Sequence, residues 1–172
     1  KLPMFPWDDP RIMDSTDALA LADVPKRLLV VGGGIIGLEM ATVYRALGSE
    51  VTVVEFMDQL IPGADADLVR PLAARLKAQG VTVHLKTKAA TVKATKKAVT
   101  VGFQAASEGE KPALESGDYD RVLVAVGRAP NGAKINAAAA GVEVTERGFI
   151  AVDRQMRTNV PHIFAIGDIV GN

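Results

Sequence analysis

The first third of the chain alternates short apolar runs with helical periodicity. Residues 27–31 form a predominantly apolar run that glycine ends, which is typical of a strand buried on both faces of a parallel sheet. Residues 51–55 form a second such run. Between them, apolar residues recur at helical spacing and predict one buried stripe of a helix over residues 35–47, formed by Ile36, Met40, Val43 and Leu47. Strand, glycine turn, helix and strand together predict a βαβ unit.

The same order then repeats once. A second helix is predicted to start at Asp65 or Asp67 and to end at Gly80, with an apolar face formed by Leu68, Leu72 and Leu76. We expect Pro71 to lie near its first turn, because a proline deep inside a helix costs about 3 kcal/mol. Residues 81–85 predict a third strand.

The period of the pattern changes to two after residue 89. Residues 90–95 and 99–105 alternate apolar with polar side chains, which predicts antiparallel strands with one solvated face. Residues 119–126 return to a continuous apolar run and predict another strand of the parallel sheet. A short helix over 135–140 and strands over 148–152 and 163–166 are expected in the remainder. The whole pattern predicts an α/β fold, a Rossmann-like three-layer parallel sheet with helices on both faces and an antiparallel β-meander.

Composition and charge narrow the function by exclusion. The 172 residues suffice for one well-filled domain, and 20 Lys plus Arg balance 20 Asp plus Glu, so no net field attracts nucleic acid or an anionic membrane. No apolar run approaches the roughly 20 residues that span a bilayer, and the N-terminus lacks the order of a signal peptide. We therefore expect no membrane or nucleic-acid partner, and a soluble protein of the bacterial cytoplasm or, in a eukaryote, the mitochondrial matrix.

Catalytic and metal-binding groups are not predicted within these residues. Cysteine is absent from the sequence, so the 172 residues hold no disulfide, thiolate metal site or redox dithiol. The two histidines, His84 and His162, are isolated from each other, and no metal site is expected. No Ser-His-Asp order or pair of catalytic carboxylates is present. Because the chain begins at Lys1 and stops soon after a strand-like run, we expect a piece of a longer polypeptide.

The glycines after the first strand carry the clearest chemical pattern. Gly32, Gly34 and Gly37 have the G-x-G-x-x-G spacing, which provides a tight turn, close approach of the backbone to a pyrophosphate, and close packing of helix on strand. The N–H groups at the start of the following helix favour the binding of a phosphate group. The motif predicts a dinucleotide site but by itself leaves NAD and FAD open.

Glu55 bears on the choice of cofactor. It ends the second strand 21 residues after Gly34, where an acid accepts hydrogen bonds from the adenosine ribose hydroxyls. A carboxylate in this place repels the 2′-phosphate of NADP, and no basic residue lies between Glu55 and Asp67. We therefore expect NAD rather than NADP.

Three other positions admit two interpretations each. Glu39 either benefits from the positive end of the helix dipole or lines the nicotinamide pocket. Gly127 is either a turn glycine or a ligand contact at the carboxyl edge of the sheet. Arg128 is either a solvated charge or part of the site.

Several ordered motifs resemble the pyridine nucleotide-disulfide oxidoreductase family, and within it the dihydrolipoamide dehydrogenases. They occupy residues 29–39, 54–55, 58–65, 122–131, 141–144 and 158–168, and the resemblance covers essentially the whole chain. It implies that NAD is held by the glycine turn and the first helical turn, namely Gly32, Gly33, Gly34, Ile35, Ile36, Gly37, Leu38 and Glu39. It further implies that Glu55 contacts the adenosine ribose of NAD, Ala89 the adenine and Gly127 the nicotinamide. Asp168 is implied to contact FAD.

The resemblance also implies a division of the chain into three segments. Residues 1–26 correspond to a connector from an absent FAD domain, residues 27–152 to the NAD-binding domain, and residues 153–172 to the return into the FAD domain. The family's redox dithiol and its His-Glu pair belong to the FAD and dimerisation domains. The chain alone is therefore expected to bind NAD without catalysing a reaction.

The implied function is to position NAD to accept hydride from reduced FAD while the parent enzyme oxidises dihydrolipoamide. The implied partners are the parent FAD and dimerisation domains, and lipoyl domains of 2-oxoacid dehydrogenase complexes. One alternative is the NAD domain of another NADH-linked flavoprotein, such as a mercuric reductase or an NADH oxidase. An alternative of another class is an autonomous nucleotide-binding regulatory module.

Overall fold

A computed structural model describes residues 2–107 and 109–171. Lys1 and Asn172, the outermost residues of the predicted connector and return segment, therefore lie outside the described residues, as does Glu108. The chain forms two compact units that divide after Gly127. This division reflects packing within one chain, so the three segments implied by the family resemblance stay a prediction.

The first unit is built on a parallel sheet of five strands, β1 (Ile12–Met13), β2 (Arg27–Val31), β3 (Glu50–Val54), β4 (Thr82–His84) and β8 (Arg121–Val124). Their order across the sheet is β1-β8-β2-β3-β4. Three helices connect them, α1 (Ser15–Ala20), α2 (Ile35–Ala46) and α3 (Ala66–Ala78). Strand β2 pairs with β3 and β8 on its two sides, which confirms the predicted βαβ unit at the glycine turn.

The two faces of the parallel sheet are covered differently. Leu28 and Val30 of β2 pack in a cluster that includes buried residues of all three helices. Leu29 and Val31, on the opposite face, pack in a second cluster with residues of an antiparallel sheet. The α/β class, the parallel sheet and the meander are confirmed. The placement of helices on both faces is corrected: the helices cover one face and the meander covers the other.

The antiparallel sheet consists of β5 (Thr87–Ala94), β6 (Val99–Ala105) and β7 (Ser116–Tyr119). Its first two strands confirm the predicted alternation, and a bulge between Ala89 and Thr91 shifts their register. Strand β7 was not predicted, because Ser, Gly and Asp fill three of its four positions and resemble a turn. The predicted strand over 119–126 is shorter in the structure, since Tyr119 belongs to β7 and β8 begins at Arg121.

Residues 2–26, which the family resemblance assigns to a connector, contain regular structure. Ile12 and Met13 add a parallel edge strand beside β8. Asp14 caps α1 by accepting from the Thr16 and Asp17 N–H groups, and Asp17 in turn accepts from the Asp14 N–H. Phe5 is buried against the meander side of the sheet. This segment is therefore part of the folded unit.

The buried face of α2 differs from the predicted stripe. Its buried residues are Gly37, Leu38, Ala41 and Tyr44, whereas Val43 and Leu47 are exposed. Ile36 and Met40 of the predicted stripe are half-buried, and Met40 packs against the core, so the stripe lies at the edge of the buried face. The buried face is centred on glycine and alanine positions, which allow the helix to lie close to the sheet. Tyr44 is buried with its hydroxyl donating to the Ala18 carbonyl, 2.9 Å away.

The predicted start of α3 at Asp65 is confirmed, but the expected place of Pro71 is corrected. The helix begins at Ala66 after Asp65 and carries Pro71 in its interior instead of its first turn. Its buried residues are Val69 and Leu76, while Leu68 is exposed. The predicted end at Gly80 is confirmed, since Gly80 has φ +82° just after the helix.

The second unit consists of turns and short 3-10 helices. These helices span Gly132–Lys134, Ala137–Ala140 and Gly167–Ile169. The strands predicted over 148–152 and 163–166 are absent from this described part, where the pairing is an isolated bridge between Arg157 and Phe164. Local bonds take their place: the Thr145 N–H donates to Phe149 O at 2.7 Å, and the Asp153 N–H donates to Arg157 O at 3.0 Å.

None of the helices formed by residues 2–107 and 109–171 has the length and apolar character needed to cross a bilayer.

Candidate functional site

The glycine turn between β2 and α2 is fixed by close backbone contacts. Gly32 has φ +113°, and a Cβ at this position would lie 2.3 Å from the Ala125 carbonyl oxygen, just beyond β8. A Cβ at Gly37 would lie 2.1 Å from the Gly32 carbonyl oxygen. Two of the three motif glycines are therefore required by the packing of strand, turn and helix, as the spacing predicted.

Gly34 is different, because the space beside it is empty. A Cβ built there meets no atom within 4 Å, and the residue has an extended backbone with φ −78°. It precedes α2 without a side-chain cap, and the first bond of the helix runs from the Leu38 N–H to Gly34 O at 3.0 Å. The N–H groups of Ile35, Ile36 and Gly37 come before that bond and lie at the positive end of the helix dipole.

Glu55 is held beside this turn by two backbone donors. It follows β3 and is only 7% exposed. One carboxylate oxygen accepts from the Gly33 N–H at 2.6 Å and the other from the Met57 N–H at 2.8 Å. Since each carboxylate oxygen has two acceptor positions, both oxygens keep one for a further donor. The structure thus brings the predicted acid and the predicted glycine turn into direct contact.

The segment from residue 56 to residue 61 completes the site and was not predicted. Leu60 is 2% exposed and packs over Gly33, where a Cβ would lie 2.6 Å from its Cδ2. The Ile61 N–H donates to Gly33 O at 2.8 Å, and Ile61 has φ +45°, an unusual conformation for a β-branched residue. This segment has no hydrophobic period, so its packing against the turn has no signal in the sequence.

Lys86 is a second residue that sequence reasoning missed. The sequence has no cationic residue between Glu55 and Asp67, but the residues that follow β4 lie beside Glu55 and Met57. The Lys86 N–H donates to Met57 O at 2.9 Å, and the Thr87 N–H donates to Glu55 O at 2.9 Å. A lysine backbone therefore lies next to the segment that orients the Glu55 carboxylate.

The other predicted contacts lie in varied surroundings. Ile35 and Glu39 are exposed on the first turns of α2, and Ile36 is half-buried. The side chain of Leu38 lies in the helix-side core and its N–H is used by Gly34, so both groups are engaged within the protein. Ala89 is buried in the meander-side core. Gly127 is exposed with φ +152°, two residues after the Ala125 carbonyl that contacts the turn.

Asp168 belongs to the second unit and forms an exposed ion pair there. Its Oδ2 lies 2.7 Å from Nη2 of Arg128, and the two side chains are 64% and 65% exposed. Arg128, for which a solvated charge was one of two interpretations, thus has a carboxylate partner. The contact of Asp168 with FAD, which the family resemblance implies, stays a prediction.

The described residues fit the pyrophosphate and ribose of a dinucleotide. Open space at Gly34, three N–H groups at a helix start and an oriented carboxylate with spare acceptor positions lie together at the carboxyl edge of a parallel sheet. Across residues 2–107 and 109–171, no cluster of three or more His, Cys, Asp or Glu side chains is arranged to hold a metal ion.

Comparisons with known proteins identify the family to which the chain belongs. A family model described as pyridine nucleotide-disulphide oxidoreductase matches residues 5–172. The dihydrolipoyl dehydrogenase of Vibrio parahaemolyticus serotype O3:K6 is 57% identical over 171 residues, which are 99% of this chain and 35% of that protein. The dihydrolipoyl dehydrogenase of Bacillus subtilis is 40% identical over the same shares of the two chains.

A solved structure with the same fold is the HOCl-induced flavoprotein disulfide reductase RclA from Escherichia coli. It aligns with a TM-score of 0.75 at 33% identity and covers 94% of this chain and 35% of that one. The chain spans about a third of the length of the curated relatives it matches. Because the family model matches residues 5–172, the chain belongs to the pyridine nucleotide-disulphide oxidoreductase family.

Proposed function

We propose that this chain is the NAD-binding domain of a dihydrolipoamide dehydrogenase, and that it positions NAD as the hydride acceptor for reduced FAD while dihydrolipoamide is oxidised. The observation that carries the proposal is the contact between Glu55 and the glycine turn, beside the open space at Gly34. The 57% identity to a dihydrolipoyl dehydrogenase supports the choice of enzyme.

Each part of the turn has its own task in this proposal. The N–H groups of Ile35, Ile36 and Gly37 bind the pyrophosphate. Gly34 has no side chain, which leaves space for the pyrophosphate oxygens. Glu55 accepts from the ribose hydroxyls with the acceptor positions that Gly33 and Met57 leave unused.

At the other end of the cofactor, Gly127 and Glu39 line the nicotinamide. The bound nicotinamide supplies the hydride acceptor, and the protein supplies binding and orientation. Ala89 borders the adenine with its backbone, since its side chain is buried in the core.

The rest of the reaction is assigned to the parent protein. The 172 residues contain no cysteine, so the redox dithiol belongs to an FAD domain, which Asp168 contacts on the return of the chain. A dimerisation domain supplies the His-Glu pair, and lipoyl domains of 2-oxoacid dehydrogenase complexes bring the substrate. The isolated chain is inactive in this proposal, and the parent acts in the cytoplasm or the mitochondrial matrix.

A second candidate is the NAD domain of another flavoprotein disulfide reductase. The likeness to RclA at a TM-score of 0.75 favours it over an autonomous regulatory module, because that protein is itself a flavoprotein. Its 33% identity is well below the 57% of the dihydrolipoyl dehydrogenase, which is why we rank it second. Turnover of dihydrolipoamide by the parent protein would separate the two.

The Glu55→Ala variant tests the proposed cofactor site. Loss of a charged acceptor for two ribose hydroxyls is expected to weaken NADH binding at least tenfold, since such a bond contributes about 1.5–3 kcal/mol. NADPH binding is expected to change less than threefold, because the lost acceptor also repels the 2′-phosphate. Isothermal titration of this chain with both cofactors measures the two changes.

Asp58→Ala provides the matched control. Asp58 is an exposed acid on the same segment, so its removal changes the net charge by the same amount without touching the turn. An unchanged ratio of NADH to NADPH affinity in Glu55→Ala, or an equal shift in Asp58→Ala, would contradict the ribose assignment. Failure of the wild-type chain to bind NADH would contradict the proposed function itself.

A further inference from the structure

A cleft lies in the first unit beside α3 and the edge strand β4. Its volume is about 630 Å³, within the range of about 300–1,000 Å³ that is typical of small-molecule sites. One wall is formed by Val69 and Ala73 of α3, and the opposite wall by Val81, Val83 and Leu85 in and around β4. Because β4 is the edge strand of the sheet, no further strand formed by residues 2–107 and 109–171 closes this side.

Two cations border this mostly apolar cleft, whose lining also includes Gln59 and Thr82. Arg70 and Lys77 lie two turns apart on α3, and both line the cleft. None of the ion pairs among residues 2–107 and 109–171 includes either side chain. Asp67, three residues before Arg70, is the nearest acid along the helix and forms no ion pair with it within that part of the chain.

The cleft is elongated along the helix axis. Its lining residues on α3 run from Ala66 to Lys77, and eleven residues of an α-helix rise by about 16 Å. A long apolar trough with positive charges on one wall matches a molecule that has an extended hydrocarbon chain and one negative end. A compact polar ligand would leave most of these aliphatic walls uncovered.

We propose that this cleft binds a medium-chain monocarboxylate, with the hydrocarbon chain against Val69, Ala73 and Val83 and the carboxylate at Arg70 or Lys77. Burial of the hydrocarbon chain provides most of the affinity, and the cation selects a negatively charged head group. The cleft does not include the glycine turn or Glu55, so this proposal stands whether or not the chain binds NAD. It shares Gln59 and Leu60 with the segment over residues 56–61 that packs against the turn.

Titration calorimetry of the full chain with sodium decanoate, below its micelle concentration, tests the proposal. We expect saturable binding of one molecule per chain, with an affinity that falls roughly tenfold from decanoate to octanoate because two methylenes are removed. Decylamine has the same hydrocarbon chain and the opposite charge, and it is expected not to compete. No saturable binding of decanoate, or equal binding of decylamine, would overturn the proposal.

Charge variants on α3 locate the head group. Arg70→Ala or Lys77→Ala is expected to weaken decanoate binding at least threefold. Arg75→Ala is the matched control, since Arg75 is an exposed arginine of the same helix that does not line the cleft, and its effect is expected to stay below 1.5-fold. Equal effects of all three variants would mean that decanoate responds only to the net charge of the protein, and this result would overturn the proposed site.

A filling variant provides a second measurement. Ala73→Phe places a ring between the two walls and is expected to abolish decanoate binding while the circular dichroism spectrum is kept. Unchanged decanoate affinity in this variant would show that the molecule lies elsewhere. Should Ala73→Phe fail to fold, the charge variants on the exposed face decide the question by themselves.

Discussion

The two compact units of the chain hold their backbones in different ways. In the first unit, the contacts that define the site join residues far apart in sequence: the Gly33 N–H meets Glu55, and Gly32 lies against Ala125. In the second unit, bonds such as Thr145 to Phe149 and Asp153 to Arg157 join residues four apart. A substitution in the first unit therefore disturbs strands and helices, whereas one in the second unit disturbs turns and the bonds that join them, such as that from the Ile150 N–H to Ile169 O at 2.9 Å.

Two glycines, one in each unit, serve different purposes. At Gly37 the missing side chain lets α2 lie on the turn, with only 2.1 Å between an added Cβ and the Gly32 carbonyl oxygen. At Gly167, in the second unit, an added Cβ would meet no atom within 4 Å, and the residue is required only by its φ of +82°. The first glycine serves packing and the second serves backbone conformation.

The largest expected effect follows from this contrast. Gly37→Val forces α2 away from β2 and is expected to cost at least about 3 kcal/mol or to prevent folding, because a backbone oxygen cannot move aside. Gly167→Ala should cost about 1–2 kcal/mol, the penalty of a left-handed backbone. Urea unfolding followed by circular dichroism compares them, and equal losses would break the distinction between the units.

Gly34→Val separates packing from binding within the glycine turn itself. The space beside Gly34 is open and its φ is −78°, so the fold is expected to be kept to within about 1 kcal/mol. The valine fills the room assigned to the pyrophosphate, and we expect NADH affinity to fall at least about 100-fold, or about 2.7 kcal/mol. Calorimetry with the folded variant measures this, and retained NADH binding would rule out the pyrophosphate assignment.

Sequence patterns predicted the regular part of the first unit well. Strand β2 matches residue for residue, and β3 and the meander follow, because buried strands and half-solvated strands have different periods. The patterns failed where packing overrides local preference. The buried face of α2 is set by the contact of Gly37 with Gly32, which no count of large apolar residues reveals. In the second unit, apolar runs predicted strands, but their residues form turns, an isolated bridge and single bonds such as that from the Ile150 N–H to Ile169 O.

The candidate site was predicted only in its sequence-local parts. The glycine spacing and an acid at the end of the next strand are visible in one dimension, and both have the geometry expected of them. The Met57 N–H, the packing of Leu60 over Gly33 and the approach of Lys86 depend on how the segment after Glu55 folds back. No periodicity encodes that fold-back, since its chain follows neither a helix nor a strand.

Each unit also contains an ion pair whose loss is expected to change the free energy of unfolding less than the Gly37 substitution does. The pair of the first unit joins Asp9 and Arg11. Asp9 accepts from the Arg11 side chain at 2.6 and 2.9 Å, and Arg11 also donates to the Thr95 carbonyl, which ties the N-terminal segment to the meander. The bond from Arg11 lowers the pKa of Asp9 to about 2 from 3.8. Because the folded pKa is depressed, this stabilisation is complete above about pH 4 and is lost as pH falls through 2.

Asp9→Asn is therefore expected to destabilise the chain at pH 7 by about 1 kcal/mol, after allowance for solvent screening of a side chain that is 17% exposed. The difference from wild type should shrink below pH 4 and vanish near pH 2. Urea unfolding at several pH values follows it. A difference that stays constant down to pH 2 would mean that the Asp9 carboxylate contributes through packing and not through its charge.

The smallest effect is expected for the ion pair of the second unit. Arg128 and Asp168 are about two-thirds exposed, so water and salt screen their attraction even at a separation of 2.7 Å. Asp168→Asn should change the free energy of unfolding by no more than about 0.5 kcal/mol, which corresponds to a shift in Tm of about 2 °C or less for a chain of this length. Thermal unfolding of wild type, Asp168→Asn and Asp9→Asn at low and high salt tests the ranking. A loss in Asp168→Asn as large as that in Asp9→Asn would mean that the second unit depends on this pair as the first depends on its long-range contacts, and the contrast between the two units would fail.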